Sequence, residues 1–392
     1  MKIKSFILAA VFTASSVIVF AQKGEVTSAK SNYDKFITFK DANSMALALP
    51  NLKLAKASID KAVVHDKTMA DPSAWTYRGL IYGEMALMDS ITSTSKPLLN
   101  EAQNAYKKAV ELDKDGSNKA NLDHLNGSIF SQYELNQGVK AYQTNNFSEA
   151  YTSFNNALVY RPGDTTIIYY AGLSAINSKN YDGGIKSYES LIKTNFSANK
   201  SIYMDLSRLY SMKGDTAKAI SIASEGAAKF NDSQLATQEI ELSLMSGKQK
   251  EVITKIADQS KKDPKNKLYP YYLGIAYSTL GDVTKSEEAY MQALAIDPEF
   301  ADANINVGGV ILNKGIVIYN EANKLSQSQQ KEYEAAMKRA SGEFERAFPY
   351  LKKANELDPK SRIALENLKT YYLIKKDNAK MDEVTKKLEE LK

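Results

Sequence analysis

Cysteine is absent from this chain of 392 residues. That excludes disulfides, thiol nucleophiles, cysteine metal sites and lipid attached through cysteine. Histidine occurs only as His65 and His124, which leaves no histidine cluster for a metal. No cofactor or metal ion is therefore expected. Charge of one sign is also scarce: 51 Lys and Arg stand against 46 Asp and Glu, a net +5 with no run of five or six like charges. Nucleic-acid proteins concentrate basic residues on one face, so a nucleic acid is not an expected partner. The spacings Gly-x-Ser-x-Gly, Gly-x-x-x-x-Gly-Lys and His-Glu-x-x-His are all missing. Glu287-Glu288 and Glu389-Glu390 are neighbours in helical sequence, and neighbours on a helix do not face each other. No acid–base pair is read there, and the chain is expected not to be an enzyme.

One apolar run stands at the start. Lys2 and Lys4 precede an uncharged stretch from Phe6 to Phe20, and Val19-Phe20-Ala21 offers the small or modest residues a signal peptidase reads. The stretch is shorter than the roughly 20 residues a membrane-spanning helix needs. The expectation is cleavage after Ala21, a mature chain starting at Gln22, and a periplasmic or secreted protein without stable membrane insertion. An uncleaved anchor is the competing reading.

What is present is a period of about thirty-four residues. Its clearest copy runs from Lys267 to Phe300, with Leu273, Gly274, Tyr277, Gly281-Asp282, Tyr290, Ala293 and Asp297-Pro298. Apolar residues recur at spacings of three and four, the helical pattern. Gly-Asp or Asn-aromatic pairs mark a turn between two helices, and Asp-Pro marks the exit, where a residue without an N–H cannot continue a helix. A glycine inside the first helix normally costs about 1 kcal/mol, so its recurrence implies a partner helix at close range. Further copies carry Trp75, Gly79, Tyr82 and Tyr106; Gly138, Phe147 and Phe154; Gly172, Tyr181 and Tyr188; Tyr203, Tyr210 and Gly214-Asp215; a weak copy with Leu244, Gly247, Ile256 and Pro264; and Gly308, Ala347, Leu351 and Pro359. Gly183-Gly184 and Gly308-Gly309 read as close helix contacts, not as phosphate loops.

This pattern resembles the tetratricopeptide repeat, and with its start the chain resembles exported members of that family from Gram-negative bacteria. The resemblance implies an all-α fold: a right-handed α-solenoid of about eight helix hairpins. The chain divides into a signal peptide (1–21), a degenerate helix pair (22–70), a repeat array (71–300), a repeat with an inserted long helical hairpin (301–361) and a capping helix pair (362–392). Three departures stand out. Ser90 to Ser95 reads as a polar loop, after which Pro97 restarts a helix in its first turn. Asn118 to Phe130 lengthens or splits a helix near Gly127. Residues 310–345 form a protruding hairpin, with stripes at Ile311, Leu312, Ile316, Tyr319, Ala322 and Leu325 and at Tyr333, Ala336, Met337, Ala340 and Phe344, a capping box at Ser326 and Gln329, and a kink at Pro349. The last helix, Asn378 to Leu391, reads as a cap with Met381, Val384, Leu388 and Leu391 on its inner face.

The resemblance also implies function. Most tyrosines (Tyr82, Tyr106, Tyr188, Tyr210, Tyr277, Tyr290, Tyr372) fall where the family packs an aromatic. Tyr142, Tyr169, Arg208 and Tyr271 fall where its first helices face the concave groove, as ordinary lining or as contacts to a partner. The positions of the family's carboxylate clamp hold Thr76 and Leu80, Tyr169 and Leu173, and Met204 and Arg208, which do not reproduce it. The expected function is a non-enzymatic protein–protein interaction scaffold or adaptor in the periplasm or cell envelope, a possible subunit of an envelope complex, holding a protein or peptide segment in the groove, with the 310–345 hairpin as a second contact. The alternative is a soluble binding protein for glycan or peptide ligands that uses the groove tyrosines. Asp89-Ser90-Ile91, Asp164-Thr165-Thr166 and Asp215-Thr216-Ala217 resemble an acceptor for periplasmic O-glycosylation.

Overall fold

The computed structural model describes residues 24–391; the signal-peptide reading lies outside them. Every regular element among the described residues is helical. In chain order the helices are α1 (24–41), α2 (Met45–Ala62), α3 (Pro72–Met88), α4 (Thr92–Leu112), α5 (Lys119–His124), α6 (Ser131–Gln143), α7 (Phe147–Tyr160), α8 (Thr165–Asn177), α9 (Tyr181–Leu191), α10 (Asn199–Met212), α11 (Thr216–Phe230), α12 (Ser233–Met245), α13 (Gln249–Lys262), α14 (Leu268–Thr279), α15 (Val283–Ile296), α16 (Ala301–Ala322), α17 (Gln330–Leu357), α18 (Arg362–Ile374) and α19 (Asn378–Glu390). They pair as antiparallel hairpins. The chain forms two compact units, Met1–Phe196 and Ser197–Lys392. Within each, the second helix of a hairpin packs on the first helix of the next, as in an α-solenoid.

Local sequence sets the hairpin turns. One residue enters the left-handed region and the next caps the second helix. Gly214 (φ 82°) precedes Asp215, and Gly281 (φ 80°) precedes Asp282; glycine makes that conformation inexpensive. The Asp215 carboxylate accepts the Lys218 N–H at 3.0 Å, and Asp282 accepts that of Lys285 at 3.1 Å, each cap being worth about 1 kcal/mol. The capping lysines then lie over the preceding tyrosines: Lys218 over Tyr210, Lys285 over Tyr277 and, in the last hairpin, Lys380 over Tyr372. Asp164 and Asp215 are N-caps, so in two of the three Asp-Ser/Thr motifs the acid has a structural role.

Three interior glycines in equivalent places are explained by rings. A Cβ on Gly138 would lie 2.7 Å from Phe154, one on Gly172 2.6 Å from Tyr188, and one on Gly274 2.4 Å from Tyr290. In each case the ring sits sixteen residues downstream, on the second helix of the same hairpin. The long hairpin has two close glycines, one of them against a ring. Gly308 meets Leu351, and one heptad along, Gly315 meets Phe344. The fifth hairpin inverts the ring contact: Tyr203 is on α10 and the close glycine, Gly226, is on α11. Gly183 abuts Tyr151, Gly184 abuts Ile176 and Gly309 faces Asn367. Of the expected core tyrosines, Tyr82, Tyr188 and Tyr290 are buried; Tyr106, Tyr210, Tyr277 and Tyr372 are half-buried.

One reading of the insertions needs correction. Ser90 to Ser95 is not a loop: α4 begins at Thr92, the connection is only Asp89–Ile91, and Pro97 lies inside the helix beyond its first turn. The extra turn is held from outside, because the Thr92 hydroxyl bonds Gln137 at 3.0 Å and the buried Ser95 hydroxyl bonds that of Tyr133 at 2.9 Å. Of the two readings for Asn118 to Phe130, the lengthened helix is the one present. It runs from Lys119 to Gln143 through one wider π turn, Leu125–Phe130. Arg161 donates to the Gly127 carbonyl at 2.9 Å, and Leu125 and Ile129 fill the space opposite Gly79 and Gly83.

A charged cluster ties the second hairpin to the first. Asp60 accepts from Lys56 (2.6 Å), Arg78 (2.6 Å) and Tyr82 (2.7 Å), and Arg78 also donates to Glu101 (2.7 Å). At the base of the long hairpin, Glu287 receives Arg346 at 2.5 Å and Lys314 at 3.6 Å. At its tip the capping box of Ser326 and Gln329 is present. Ile311, Leu312, Ala322, Ala336, Ala340 and Phe344 are buried, whereas Tyr319 is 38% exposed. Pro349 lies within α17 without ending it. α19 buries Val384 and Leu388.

Candidate partner-binding groove

The first helices of three successive hairpins, α10, α12 and α14, enclose an open groove of about 680 Å³ in the second unit. Local chemistry places each wall. α12 starts where Asn231 turns left-handed (φ 47°) and the Asp232 carboxylate accepts the N–H groups of Gln234 and Leu235, each at 3.0 Å. Lys200 on α10 holds the same carboxylate at 2.9 Å, and the Gln238 amide reaches the Met204 carbonyl at 3.3 Å, joining α12 to α10. α14 starts where the Asn266 side chain accepts the Leu268 N–H at 3.0 Å.

The lining mixes soft apolar side chains with charge. Met204, Met212, Met245, Leu268 and Tyr272 supply apolar surface, and Met212 and Met245 are 62% and 76% exposed. Methionine fills irregular contacts because its chain is unbranched and polarizable. Arg208 and Glu241 also line the groove. Arg208 meets Asp205 at 3.7 Å, with its own side chain 63% exposed, a geometry that contributes little. Burial pushes Asp205 up from the ordinary carboxylate range, and Arg208 only partly offsets it. Burial, then the Glu241 charge, raise the Tyr272 phenol to about 12. Tyr272 is therefore a neutral hydroxyl at physiological pH.

Of the residues singled out from sequence, Arg208 lies in the groove. Tyr271 adjoins it: its ring packs on Phe300 at 4.9 Å and Tyr290 at 5.8 Å, and its hydroxyl accepts from Asn306 at 3.3 Å. Its neighbour Tyr272 lines the groove instead. Tyr142 and Tyr169 belong to the other unit. Tyr142 meets Phe147 edge-on at 5.3 Å; Tyr169 lies parallel to Tyr188 at 6.4 Å and packs on Phe196 at 5.4 Å. Of the clamp positions, Thr76 and Leu80 are buried, whereas Met204 and Arg208 line the groove. Sequence reasoning passed over Met212 and Met245. Their signal is a repeated Met-x-Gly at the end of two successive first helices, Met212-Lys213-Gly214 and Met245-Ser246-Gly247.

Among the described residues, no group of three or more His, Asp or Glu is placed to hold a metal ion, and no helix is long and apolar enough to cross a membrane.

Comparison with known proteins bears on the same helices. The tetratricopeptide repeat family matches residues 271–300, the stretch from Tyr271 through α15. The Photosystem I assembly protein Ycf3 of Cyanophora paradoxa is 34% identical over 110 residues, 28% of this chain and 56% of that protein. The chain thus spans only about half the length of this relative. Among solved structures, the C-terminal part of a TPR repeat-containing protein from Cytophaga hutchinsonii is 16% identical, covers 66% of this chain and 95% of that one, and has a TM-score of 0.46. A TPR repeats protein from Bacteroides fragilis is 20% identical, with 62% and 98% covered and a TM-score of 0.34.

Proposed function

We propose that this chain is a non-enzymatic interaction scaffold that holds a segment of a partner protein in the groove of α10, α12 and α14. Proteins built from tetratricopeptide repeats generally mediate protein–protein interactions, and α14 lies largely within the matched repeat. The observation that carries the reading is the pairing of highly exposed methionines with an exposed, loosely paired arginine in one open groove. Burying Met212, Met245 and Tyr272 against an apolar side chain supplies affinity, at roughly 25 cal/mol per Å² removed from water. Arg208 supplies direction, because its pair with Asp205 at 3.7 Å is loose and leaves the guanidinium fork open to a closer, bidentate carboxylate. The occupant we assign is a peptide segment carrying an apolar side chain beside an acidic one. The setting we propose is the periplasm or cell envelope, on the strength of the basic and apolar start of the sequence.

Peptides selected from a random displayed library on the whole chain test the groove. They should carry the acidic–apolar pair and lose about tenfold in affinity, about 1.4 kcal/mol, against Arg208→Glu and against Met245→Glu. Peptides that bind both variants as tightly as the parent would overturn the assignment. N-terminal sequencing of the chain from its host tests the setting: Gln22 supports export, and an intact Met1 refutes cleavage.

A further inference from the structure

A second concavity lies on another face of α12, between α11 and α13, and shares no residue with the groove. Its volume is about 310 Å³, at the lower end of the range of roughly 300–1,000 Å³ for small-molecule sites. Its floor holds two polar side chains that are almost wholly buried: Glu239, 6% exposed, and Tyr269, 1% exposed. Glu239 Oε1 is held by Lys255, but Glu239 Oε2 and the Tyr269 hydroxyl are buried without a hydrogen-bond partner. Thr237 and Asn266 stand beside the phenol and partly offset the rise that burial gives it. A buried polar atom left unpaired costs about 1–3 kcal/mol. Both belong to side chains that line one polar cleft, on helices that otherwise pack well, and they mark a place for something that pairs with both.

The surrounding groups fix its chemistry. Lys255 already neutralises Glu239, so a cation would meet Lys255 and Lys262. An anion would meet Glu239, Asp232 and Asp263. A neutral ligand remains. It must donate to Glu239 Oε2, which can only accept, and accept from Tyr269, whose phenol burial and then Asp263 keep protonated. Around them Asn231, Ser233 and Gln259 alternate donors with acceptors. We propose that this cleft binds a small neutral polyhydroxyl compound of about monosaccharide size. Glu239 Oε2 and the Tyr269 hydroxyl take adjacent hydroxyls, and Ala227 and Ala228 border the ring.

The proposal does not rest on the groove, and the two are tested apart. Methyl α-D-glucopyranoside, galactose, N-acetylglucosamine and N-methylacetamide are titrated into the whole chain by calorimetry and saturation-transfer NMR. At least one sugar should bind saturably. Tyr269→Phe, which removes only the hydroxyl, should weaken that sugar about tenfold, as should Ala228→Phe, which narrows the mouth from an exposed position. The groove variant Met245→Glu should leave it unchanged. Melting curves that match the parent show that the cleft variants are folded. The proposal is overturned if no sugar binds and a crystal structure holds only water on Glu239 and Tyr269. It is also overturned if N-methylacetamide is preferred over every sugar, or if Tyr269→Phe binds sugar as the parent does.

Discussion

Replacing Gly274 with alanine isolates the contact on which the hairpins are built. In an open helix the change would stabilise by up to about 1 kcal/mol, because alanine is the better helix former. Here the new Cβ would lie 2.4, 2.5 and 2.8 Å from three atoms of one ring, Tyr290 Cδ1, Cε1 and Cγ. The ring has little room to give. Tyr290 is 3% exposed and packs on Tyr271 at 5.8 Å, and the Ser286 hydroxyl fixes the two helices by bonding the Gly274 carbonyl at 2.9 Å. Overpacking costs about 1–3 kcal/mol, and three contacts under 3 Å put this site in the upper part of that range, so a propensity gain of about 1 kcal/mol leaves a net loss of about 1–2 kcal/mol. A bulkier leucine at the site should cost no less. The assay is urea unfolding followed by helical circular dichroism, comparing midpoints on the assumption that the slope is shared. The decisive experiment is the cycle with Tyr290→Leu. With the ring gone, Gly274→Ala should change sign and stabilise, a coupling inside the range of about 0.5–3 kcal/mol for residues in contact. If Gly274→Ala is neutral or stabilising with Tyr290 intact, the ring-on-glycine account of the hairpins is wrong.

The control is Gly342 in α17, where a Cβ would meet nothing within 4 Å; Gly342→Ala should stabilise by about 0.4–1 kcal/mol in the same assay. Tyr133→Phe strands the buried Ser95 hydroxyl and should cost about 1–3 kcal/mol, with loss of amide protection at Thr92–Ser95 measured by hydrogen exchange. Asp60 supplies a pH dependence. Burial pushes its carboxyl up, but hydrogen bonds from Lys56 and Tyr82 and the charges of Lys56 and Arg78 outweigh that and leave it below the ordinary range. A depressed folded value contributes stability above the unfolded value, near 3.9, and loses it as pH falls through the folded one. The stability gap between the parent and Asp60→Asn should therefore be full at pH 7 and close below about pH 4; a gap unchanged at pH 3 would rule the carboxylate out as its source.

The helices and their pairing were legible in the sequence because they are decided locally. A residue at Gly274 and a ring at Tyr290 lie sixteen positions apart in one hairpin, and Gly281-Asp282 sets the turn between them. What stayed illegible was decided at a distance. Ser90 to Ser95 has loop composition, and its last four residues are helical because Gln137 and Tyr133, more than thirty residues on, supply the bonds. The π turn at Leu125–Phe130 answers to Gly79 and Gly83 in the preceding hairpin. The place of Arg208 along the groove could be read from its register on a first helix. Register alone does not separate Tyr271 from Tyr272, which are adjacent: Tyr271 is taken up by Phe300 and Asn306, and Tyr272 lines the groove.

The weakest copy of the period is the most informative one. In the sixth hairpin the glycine and ring positions hold Ile240 and Ile256, both buried, and beside them at the same spacing of sixteen stand Glu239 and Lys255. A solenoid needs only that each hairpin cover its neighbours, so a hairpin that gives up the ring contact and buries an ion pair loses packing that its sequence could have supplied. Local rules are broken where another requirement competes with stability. The groove and the polar cleft both border this hairpin: α12 contributes lining to each, from different faces. If the departure were drift alone, restoring the period with Ile240→Gly and Ile256→Tyr would raise stability and leave both binding activities intact. On the present account it should raise stability while disturbing at least one of them, because both are read from the position of α12.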